Sequence, residues 1–566
     1  MSELRQVYTA AGETLSGVPW DVYPRPQLRR DSFVCLNGTW EFAVSEEEPT
    51  HYDRTIRVPF APESLLSGVG ECFPEAQARW YRRRFVLPEA FRRDRVLLHI
   101  GAADQEAAVF VNGVLVGEHR GGYEAFCLDI TEALQAENTL VVRVIDRLSE
   151  QILPYGKQCH KRGGMWYTPV SGIWQTVWLE SVAEAYVHRL TIDTDEHGAT
   201  ITAEGVENGT VTVQTPQSEL AVPMNDGIAR IEVPEPRLWS PEDPYLYTFT
   251  LQTASDEVHS YFALRTLDIR TVDGLPRLCL NGKPYLFHGL LDQGYWSDGL
   301  FTPATPAGYA EDIAAMKALG FNTLRKHIKV EPEQFYYDCD RLGMVVFQDM
   351  VNNSDYSFFR DTALPTVGLI RRKDARLHRN PASREAFVQG MEQTVRQLYN
   401  HPCICYWTIF NEGWGQFDGS EQYRRLRELD SSRFIDTTSG WFLGSDSDVE
   451  SRHIYFRRLK MKPSDKPLVL SEFGGYSFKT EGHVFNTEQS YGYGSCKTRE
   501  ELVEKIRALY TEQVLPLIPQ GLCAVIYTQV SDIEDEINGL VTYDRRVAKL
   551  LPEEFADISR RLVGSL

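Results

Sequence analysis

Short stretches in which apolar and polar residues alternate dominate the chain from about residue 30 to 182. A period of two puts every second side chain on one face, which is typical of strands that bury only that face. Turn signals such as Asn112-Gly113 separate the stretches. The pattern predicts an all-β sandwich as the first domain, at residues 1–182. The clearest strand stretches are 38–42, 96–100, 108–111 and 140–144.

A second set of strand-like stretches occupies residues 183–270. The stretches 190–193, 211–213 and 245–250 are rich in β-branched and aromatic residues, and a proline-rich turn lies at 239–244. A region of about 85 residues has the size of a small β-sandwich. We therefore predict an immunoglobulin-like β-sandwich as the second domain.

After Asn281-Gly282 strands alternate with helices, and we predict a third domain at residues 271–566. Thr305 and Pro306 open one helix as cap and first-turn residue, and Gly320 ends it. Eight strand candidates alternating with helices in about 300 residues favour a (β/α)8 barrel, the TIM barrel. The eight candidates are 285–289, 323–326, 344–348, 404–410, 434–438, 453–456, 468–472 and 523–528.

Two of these strands end in a glutamate that a glycine soon follows. The fourth ends in Asn411-Glu412, and the seventh ends in Ser471-Glu472. The catalytic groups of a TIM barrel lie at the carboxyl ends of its strands, so both carboxylates are expected at one mouth. Hydrolysis of a glycoside needs such a pair, one to protonate the leaving oxygen and one to attack or stabilise the anomeric carbon. A lone glutamate in this position more often caps a helix or pairs with an arginine.

The charge balance excludes several partners. The 566 residues include 79 acidic and 59 basic side chains, for a formal net charge of −20. This charge repels nucleic acid and anionic membranes, and no basic block compensates for it. No run of 18 apolar residues and no apolar leader occurs, so we expect no membrane span and a cytoplasmic location. Ten cysteines without a CxxC pair fit a reducing compartment.

We predict no cofactor and no metal. The spacings of His, Cys, Asp and Glu do not match a zinc site, and no phosphate-binding glycine loop of the Walker type occurs. Two charged segments have two interpretations each. The acidic segment 532–536 is either the solvated start of a helix or a cation site. The basic, glycine-rich segment 157–167 is either a loop that reaches the barrel mouth or a solvated loop.

Five further motifs, together with the two glutamate segments, make the chain resemble glycoside hydrolase family 2, the group of retaining β-galactosidases, β-glucuronidases and β-mannosidases. The resemblance covers nearly the whole chain. It implies a jelly-roll-like sugar-binding domain, an immunoglobulin-like sandwich and a catalytic TIM barrel, the same three regions that the strand and helix patterns predict. The motifs are LNGTWEF at 36–42, VNG at 111–113, SGIWQ at 171–175, NGKP at 281–284 and GFNTLR at 320–325.

The resemblance implies roles for the residues around the two glutamates. Glu412 would be the general acid/base and Glu472 the nucleophile of a double displacement that retains the anomeric configuration. Asn411 would bind the sugar 2-hydroxyl, and Tyr455 would orient the nucleophile through its phenolic proton. Arg325, at the end of the second strand, would contact the nucleophile and favour its ionised form.

Four more residues are candidate substrate contacts. His327 follows the second strand and Asp292 the first, and each can bind a sugar hydroxyl. Trp414 and Tyr527 lie near strand ends, where an aromatic face suits a sugar ring, although packing is an equal alternative. His288 has a weaker claim than His327, because a histidine near a barrel strand is often a structural donor.

The chain departs from the best-known family members near the sugar. Its second-strand loop has the sequence RKHIKVEP at 325–332, and no counterpart follows residue 532 for the Asn-x-Lys element that binds the sugar carboxylate in glucuronidases. The first strand lacks the Arg-His-Glu element of galactosidases and glucuronidases. These departures favour a neutral sugar, with Lys326 or Lys329 as stand-ins if the sugar is a uronic acid. A β-galactoside is the most frequent substrate in the family, and β-glucuronoside, β-glucoside, β-mannoside and arabinoside stay open.

We therefore predict a retaining, exo-acting β-glycosidase of the β-galactosidase type. Its partners would be a carbohydrate or glycoconjugate substrate and, as is common in the family, further copies of itself. A non-catalytic carbohydrate-binding protein on a degenerate barrel is the alternative from a different class. The presence of Asn411, Glu412 and Glu472 argues against that alternative.

Overall fold

The computed structural model describes residues 5–364, 374–441 and 446–565 of the chain. A six-stranded and a four-stranded antiparallel sheet form the first domain and enclose Trp40, Phe42 and Tyr81. This arrangement confirms the predicted all-β sandwich, in which alternate residues of each strand point inward. Its strands are β1 (Val34–Cys35), β2 (Gly38–Ser45), β3 (Arg54–Val58), β4 (Ala78–Phe85), β5 (Arg95–Ile100), β6 (Ala103–Asp104), β7 (Glu106–Val111), β8 (Val114–Arg120), β9 (Phe126–Asp129), β10 (Asn138–Ile145), β11 (Gly172–Ile173) and β12 (Val177–Val182). The sheet orders are β3-β2-β4-β10-β7-β8 and β1-β12-β5-β9.

Seven strands form the second sandwich. They are β13 (Arg189–Thr194), β14 (Gly198–Glu204), β15 (Gly209–Gln214), β16 (Glu219–Met224), β17 (Ile228–Glu232), β18 (Tyr247–Gln252) and β19 (Glu257–Phe262). The order β13-β14-β17 in one sheet faces β16-β15-β18-β19 in the other. Val211, Phe249 and Val258 are buried between them. The immunoglobulin-like sandwich is confirmed.

Eight parallel strands form the main sheet of the third domain, in the order β27-β26-β25-β24-β23-β32-β29-β28. The first of them, β23, pairs with the last, β32, as in a TIM barrel. The barrel strands are β23 (Phe287–Asp292), β24 (Thr323–Lys326), β25 (Val345–Asp349), β26 (Ile404–Asn411), β27 (Phe434–Ser439), β28 (Glu450–Ile454), β29 (Leu468–Gly474) and β32 (Leu522–Thr528). Short additional strands are β20 (Leu267–Val272), β21 (Leu275–Leu280), β22 (Lys283–Pro284), β30 (Tyr476–Phe478) and β31 (Gly494–Cys496).

A helix follows each of the barrel strands β23, β24, β25, β26, β29 and β32, and a single helical turn lies near the N-terminus. In the described part of the chain the helices are α1 (Ala10–Glu13), α2 (Ala307–Ala318), α3 (Glu333–Leu342), α4 (Pro381–Leu398), α5 (Gly419–Leu429), α6 (Arg499–Leu509) and α7 (Pro552–Val563). Helix α2 ends as its sequence predicts, because Gly320 adopts a φ of +90°. A Cβ atom at Gly320 would lie 1.9 Å from the Ser559 hydroxyl oxygen, so glycine is also required for packing against α7.

The largest apolar core joins the barrel to the first domain. Trp174 of the SGIWQ motif is completely buried, and its ring centroid lies 5.0 Å from that of Phe301. The Trp174 indole N–H donates to the Gly122 carbonyl at 2.8 Å, and the Thr302 hydroxyl donates to the Trp174 carbonyl at 2.5 Å. Phe301 and Thr302 lie in the loop after β23, so the first domain packs against the carboxyl end of the barrel strands.

None of the helices in the described ranges is long and apolar enough to cross a membrane. All ten cysteines are free thiols, and six of them are buried. Burial raises the pKa of the Cys405 thiol in β26 and of the Cys523 thiol in β32. Both therefore stay protonated and behave as small apolar core residues.

Candidate active site

Glu412 follows the last residue of β26 at the barrel mouth. The backbone turns into the left-handed region there, with φ values of +51° at Glu412 and +75° at Gly413. The Glu412 N–H donates to the Ser439 carbonyl at 2.9 Å, which fixes the turn. A residue other than glycine loses about 1–2 kcal/mol in this conformation, and strain of this kind is concentrated at functional sites. The side chain is 11 % exposed, so the carboxyl group is nearly dry.

Glu472 lies inside β29 at an irregularity of the strand. The pairing with β28 skips Ser471, and the pairing with β32 shifts at the same place. An extra residue in one strand changes the direction in which the following side chain points. Glu472 contacts the residues at the mouth, whereas the next residue, Phe473, packs against Tyr510 in the helical layer.

The two carboxyl groups face each other across His453. One potential ligand atom from each of the three residues lies within 4.8 Å of the other two. His453 Nδ1 is 2.8 Å from Glu412 Oε1 and 3.5 Å from Glu472 Oε2. Arg325 donates to His453 Nε2 at 3.3 Å, and because a guanidinium can only donate, Nδ1 carries the ring proton and donates to Glu412. Sequence reasoning missed His453, although its place two residues before Tyr455 was a signal.

Arg325 and Tyr455 hold Glu472 from two sides. Arg325 Nη1 donates to Glu472 Oε1 at 3.1 Å, and the Tyr455 hydroxyl donates to Oε2 at 2.8 Å. The guanidinium is buried and also donates from Nε to Asp349 at 3.0 Å. Both contacts to Glu472 that the resemblance implied are thus present, and both stabilise its ionised form.

The two carboxyl groups differ in their electrostatic surroundings. Burial raises the pKa of Glu412 to about 7, and Lys157 and Arg325 oppose the shift. Burial also raises the pKa of Glu472, but His453 and Arg325 oppose that shift. Because Arg325 bonds directly to Glu472, we assign the higher pKa to Glu412. Near neutral pH the site can therefore hold one protonated and one ionised carboxyl group.

Asn411 and His327 offer hydrogen-bonding groups to the same space. Asn411 Oδ1 accepts from Arg325 at 2.9 Å, whereas its Nδ2 is buried without a partner in the described part of the chain. A buried donor in this state favours a ligand that brings an acceptor oxygen. His327 bonds through Nδ1 to Asp349 at 2.8 Å, and burial lowers the pKa of its imidazole to about 3, so the ring is neutral.

The basic segment of the first domain reaches the barrel mouth, so its interpretation as a solvated loop is wrong. Trp166 stacks on Trp414 with ring centroids 5.2 Å apart. The Lys157 ammonium lies 5.5 Å from the Trp414 ring centroid. Trp414 is only 2 % exposed between these neighbours, which leaves it little surface for a sugar. Its position therefore supports the packing alternative.

Lys326, Lys329 and Asp292 belong to a buried ion cluster around Glu331. Lys326 bonds to Asp292 at 2.7 Å and to Glu331 at 2.8 Å. Lys329 bonds to the second oxygen of Glu331 at 2.8 Å. Both ammonium groups are already neutralised, which argues against either lysine as the stand-in that would bind a sugar carboxylate. Asp292 serves as counter-ion to Lys326 and not as an isolated hydroxyl acceptor.

Two other sequence candidates face away from the mouth. The Thr528 hydroxyl meets that of Tyr455 at 2.8 Å, so Tyr527, the residue before it in β32, points to the opposite side of the sheet. The Tyr527 ring packs near Tyr510 in the helical layer, with centroids 6.4 Å apart. His288 also bonds to the Tyr510 hydroxyl, at 3.1 Å. The structure therefore does not bring Tyr527 to the site, and the expectation that it binds substrate is corrected.

The acidic segment 532–536 is buried, which excludes its interpretation as a solvated helix start. Asp532 pairs with Lys549 at 2.6 Å. Glu536 accepts hydrogen bonds from the Tyr167 hydroxyl and from the Asn538 amide. Glu536 thereby joins the first domain to the barrel, whereas Asp532 Oδ2 is buried without a partner in the described part of the chain. The lysine, tyrosine and amide partners of these carboxylates are those of a structural cluster and do not favour a cation site.

Within the described ranges, Glu412, His453 and Glu472 are also the one group of three side chains close enough to hold a metal ion. All three already bond to each other or to neighbouring side chains. The Arg325 guanidinium beside Glu472 opposes a divalent cation by direct repulsion. The donor set therefore fits a hydrogen-bonded acid and base better than a metal centre.

Three family models match the chain. The model described as "Glycosyl hydrolases family 2, TIM barrel domain" matches residues 272–490, and "Glycosyl hydrolases family 2" matches residues 181–265. "Glycosyl hydrolase 2 galactose-binding domain-like" matches residues 73–162. The chain belongs to glycoside hydrolase family 2. The barrel model includes both Glu412 and Glu472.

Relatives of this family 2 member differ in their named substrates. The β-glucuronidase of Felis catus is 27% identical over 447 residues, which cover 69% of this chain and 65% of that protein. The β-galactosidase of Thermoanaerobacter pseudethanolicus is 26% identical over 444 residues, covering 71% and 55%. The chain thus matches less than two thirds of the length of either relative. A solved β-D-glucuronidase of Dictyoglomus thermophilum shares the fold, with a TM-score of 0.72 over 95% of this chain and 98% of that chain at 17% identity.

Proposed function

We propose that this family 2 hydrolase is a retaining, exo-acting β-glycosidase with Glu412 as general acid/base and Glu472 as nucleophile. The observation that carries the proposal is the pair of nearly dry carboxyl groups with ligand atoms within 4.8 Å of each other. Retaining glycosidases have carboxyl groups about 5–5.5 Å apart, whereas inverting ones leave room for a water between them. Of the two carboxyl groups, only Glu472 accepts hydrogen bonds from Arg325 and Tyr455. These bonds stabilise a carboxylate, as the nucleophile requires.

The geometry supports a double displacement. Glu412 protonates the glycosidic oxygen while Glu472 attacks the anomeric carbon, which gives a covalent glycosyl-enzyme and a free aglycone. Glu412, now ionised, removes a proton from water, and the water displaces Glu472 with a second inversion. Asn411 donates its unpaired amide hydrogens to the sugar 2-hydroxyl, a contact that strengthens as charge develops on the ring.

For the glycone, a β-galactoside is the first candidate and a β-glucuronoside the second. The internal pairing of Lys326 and Lys329 supports a neutral sugar. The name of the Felis catus relative and the Lys157 ammonium at the mouth support the second candidate. Likeness of fold alone does not decide between them.

Hydrolysis of a panel of 4-nitrophenyl β-glycosides tests this function, with Glu472→Gln as the blank. The panel contains the galactoside, glucuronide, glucoside, mannoside and the α-arabinosides. We expect one dominant glycone, and proton NMR of the first product should show the β-anomer, as retention requires. Sugar binding without turnover on any glycoside would favour the carbohydrate-binding alternative, and an initial α-anomer would contradict the assigned roles.

A further inference from the structure

Lys157 is a buried residue at the barrel mouth whose ammonium forms no direct ion pair in the described part of the chain. Its side chain lies in the first-domain loop, residues 155–168, and the residue is 8 % exposed. The ammonium makes no hydrogen bond and no ion pair with the residues that the structure describes, and its nitrogen keeps some contact with solvent at the mouth. The two internal stretches outside that description, 365–373 and 442–445, contain no Asp or Glu. Most lysines are exposed, and buried ones are usually paired, so an ammonium without a direct partner is unusual at such a position.

The other buried lysines near the barrel strand ends are paired. Lys326 has Asp292 at 2.7 Å, Lys329 has Glu331 at 2.8 Å, and Lys549 has Asp532 at 2.6 Å. The fold thus supplies a carboxylate to each of these three. The unpaired state of Lys157 is therefore a feature of this one position.

The ammonium of Lys157 lies beside the catalytic pair. Its charge acts on Glu412 and Glu472, and it also acts on the neutral imidazole of His327. The Trp414 ring centroid lies 5.5 Å away and that of Tyr167 5.9 Å away, so aromatic rings cover two sides. A charged group of a bound substrate at this mouth would come within its reach.

The backbone around Lys157 is held rigidly against the barrel. Tyr155 donates from its N–H to the Asn352 carbonyl at 3.0 Å. Gly156 adopts a φ of +65°, and a Cβ atom there would lie 2.9 Å from the Ile328 carbonyl oxygen, so the chain approaches the barrel as closely as glycine permits. The position of Lys157 is therefore set before any ligand binds.

We propose that Lys157 binds a carboxylate group of the substrate. Such a group would supply the missing counter-ion and accept a charge-assisted hydrogen bond from the ammonium. The carboxylate can belong to the sugar, as in a uronic acid, or to the aglycone. The inference rests on the proposed function, because it names the substrate class of the same site. In this chain the first domain, and not the end of the barrel, would select acidic substrates.

The test compares three variants on matched substrates. Lys157→Met removes the charge at similar side-chain length, Lys157→Arg keeps it, and Lys161→Met removes an exposed charge from the same loop as a control. The substrates are 4-nitrophenyl β-glucuronide and β-galacturonide, 4-nitrophenyl β-galactoside, and a nitrophenyl β-galactoside with a carboxylate on the phenyl ring. Measurements well below the pKa of Glu412 keep its protonation equal in all variants.

We expect Lys157→Met to lower kcat/KM about 10- to 100-fold more for substrates with a carboxylate in one of the two places than for the neutral galactoside, which reports only the effect of the charge on the catalytic pair. Lys157→Arg should restore part of the loss, and Lys161→Met should resemble the unmodified protein. A loss on the two uronides identifies the sugar as the source of the carboxylate, and a loss on the galactoside with the carboxylated phenyl ring identifies the aglycone. Equal factors on acidic and neutral substrates, or no effect on either, would overturn the proposal.

Binding measurements separate this proposal from the proposed function. In the Glu472→Gln background, titration calorimetry gives Kd for the same glycosides without turnover. Weaker binding of acidic glycosides on Lys157→Met would support the role of Lys157 even if the unmodified protein hydrolysed none of them. Turnover by the unmodified protein together with unchanged binding would retain the glycosidase and overturn the role of Lys157.

Discussion

At the scale of single residues, Glu412 and Glu472 have different hydrogen-bond partners and different proposed roles. Replacing each of them should therefore change the kinetics in a different way. Glu472→Gln should abolish turnover of every substrate, because no other carboxylate can form the covalent intermediate. Glu412→Ala should lose about 10²- to 10⁴-fold on poor leaving groups and much less on 2,4-dinitrophenyl glycosides, which depart without a proton. Steady-state kinetics across leaving groups measures both.

Azide provides the control for that assignment. In the Glu412→Ala variant the anion can occupy the vacated space and attack the glycosyl-enzyme, so it should accelerate turnover and give a glycosyl azide. It should have no such effect on Glu472→Gln, in which no intermediate forms. An equal loss on all leaving groups in both variants would contradict the division of roles.

The same residues predict how activity depends on pH. Glu412 must be protonated to act as acid, and burial raises its pKa to about 7 against the opposing charges of Lys157 and Arg325. Activity should therefore be present below this pKa and fall about tenfold per unit above it. The alkaline limb of kcat/KM for a 4-nitrophenyl glycoside measures the value.

A substrate that needs no proton is the control for the pH profile. The alkaline limb should weaken or disappear for 2,4-dinitrophenyl glycosides, because their departure does not use Glu412. His453 does not produce this limb, since burial lowers the pKa of its imidazole to about 4. An identical alkaline limb for both leaving groups would assign the titration to another group.

At the scale of elements, strand positions were easier to predict than side-chain directions. The fourth barrel strand was predicted at 404–410 and is found at Ile404–Asn411, because it is apolar along its whole length. The sixth was predicted at 453–456 but occupies Glu450–Ile454, since it begins with polar Glu450, Ser451 and Arg452. The error explains why His453 was overlooked: the predicted bounds put it at the amino end of the strand, whereas it lies near the carboxyl end, next to both carboxylates. The domain boundaries after residues 182 and 270 stay predictions.

Pairing between distant elements was not predictable from the sequence. Lys326 and Lys329 both looked suited to bind a substrate, and only the structure shows that Glu331, on the loop after β24, neutralises them. Tyr527 lies at a strand end as expected, but the alternation along β32 directs its ring away from the mouth. Sequence gives the position of such side chains along a strand, whereas their partners depend on register and loop path.

The link between the two sandwiches supports a prediction about stability. Glu180 on β12 is 2.8 Å from Arg30, which also bonds to Asp256 of the second domain at 2.7 Å. Both members of the Glu180–Arg30 pair are buried, so Glu180→Gln would leave the guanidinium partly uncompensated. We expect a loss of about 3–5 kcal/mol in the free energy of unfolding, seen as a lower midpoint in differential scanning calorimetry.

An exposed ion pair of the same kind is the control. Glu184 lies just after β12 and pairs with Arg95 on the surface, where water screens the charges. Glu184→Gln should leave the unfolding midpoint nearly unchanged. If Glu180→Gln also left the unfolding midpoint unchanged, the buried ion pairs of Glu180, Arg30 and Asp256 would not be what joins the two sandwiches.

At the scale of the whole molecule, the mouth of the barrel is built by two domains. The barrel supplies the carboxyl pair, and the first-domain loop supplies Lys157 and Trp166. The segment's own sequence did not decide between a solvated loop and this arrangement, because its basic and glycine-rich composition suits both. The deciding contacts are long-range, such as Thr168 N–H with Glu534 at 2.9 Å. Substrate recognition is therefore tied to how the domains pack.

Trp174 tests that coupling. It is completely buried between the first domain and the loop after β23, in one continuous core with the barrel. Trp174→Ala should cost about 3–5 kcal/mol through lost burial and the cavity left behind. Because the core is shared, the first domain and the barrel should unfold in one calorimetric transition, and the variant should lower that transition as a whole.

Trp40→Ala distinguishes shared from separate unfolding, because Trp40 lies in the core between the sheets of the first domain and not in the core shared with the barrel. If the two domains form one cooperative unit, both variants should shift the same transition. Trp174 also packs against Tyr123, with ring centroids 6.0 Å apart, and the Tyr123 hydroxyl donates to the Tyr155 carbonyl of the first-domain loop at 3.2 Å. Only Trp174→Ala should therefore also displace this loop and reduce kcat/KM below the unfolding temperature. If Trp40→Ala lowered the midpoint of a first-domain transition while the midpoint of a barrel transition stayed fixed, the two domains would unfold independently. If kcat/KM were unchanged in Trp174→Ala, the first-domain loop would keep its position without the packing of Trp174.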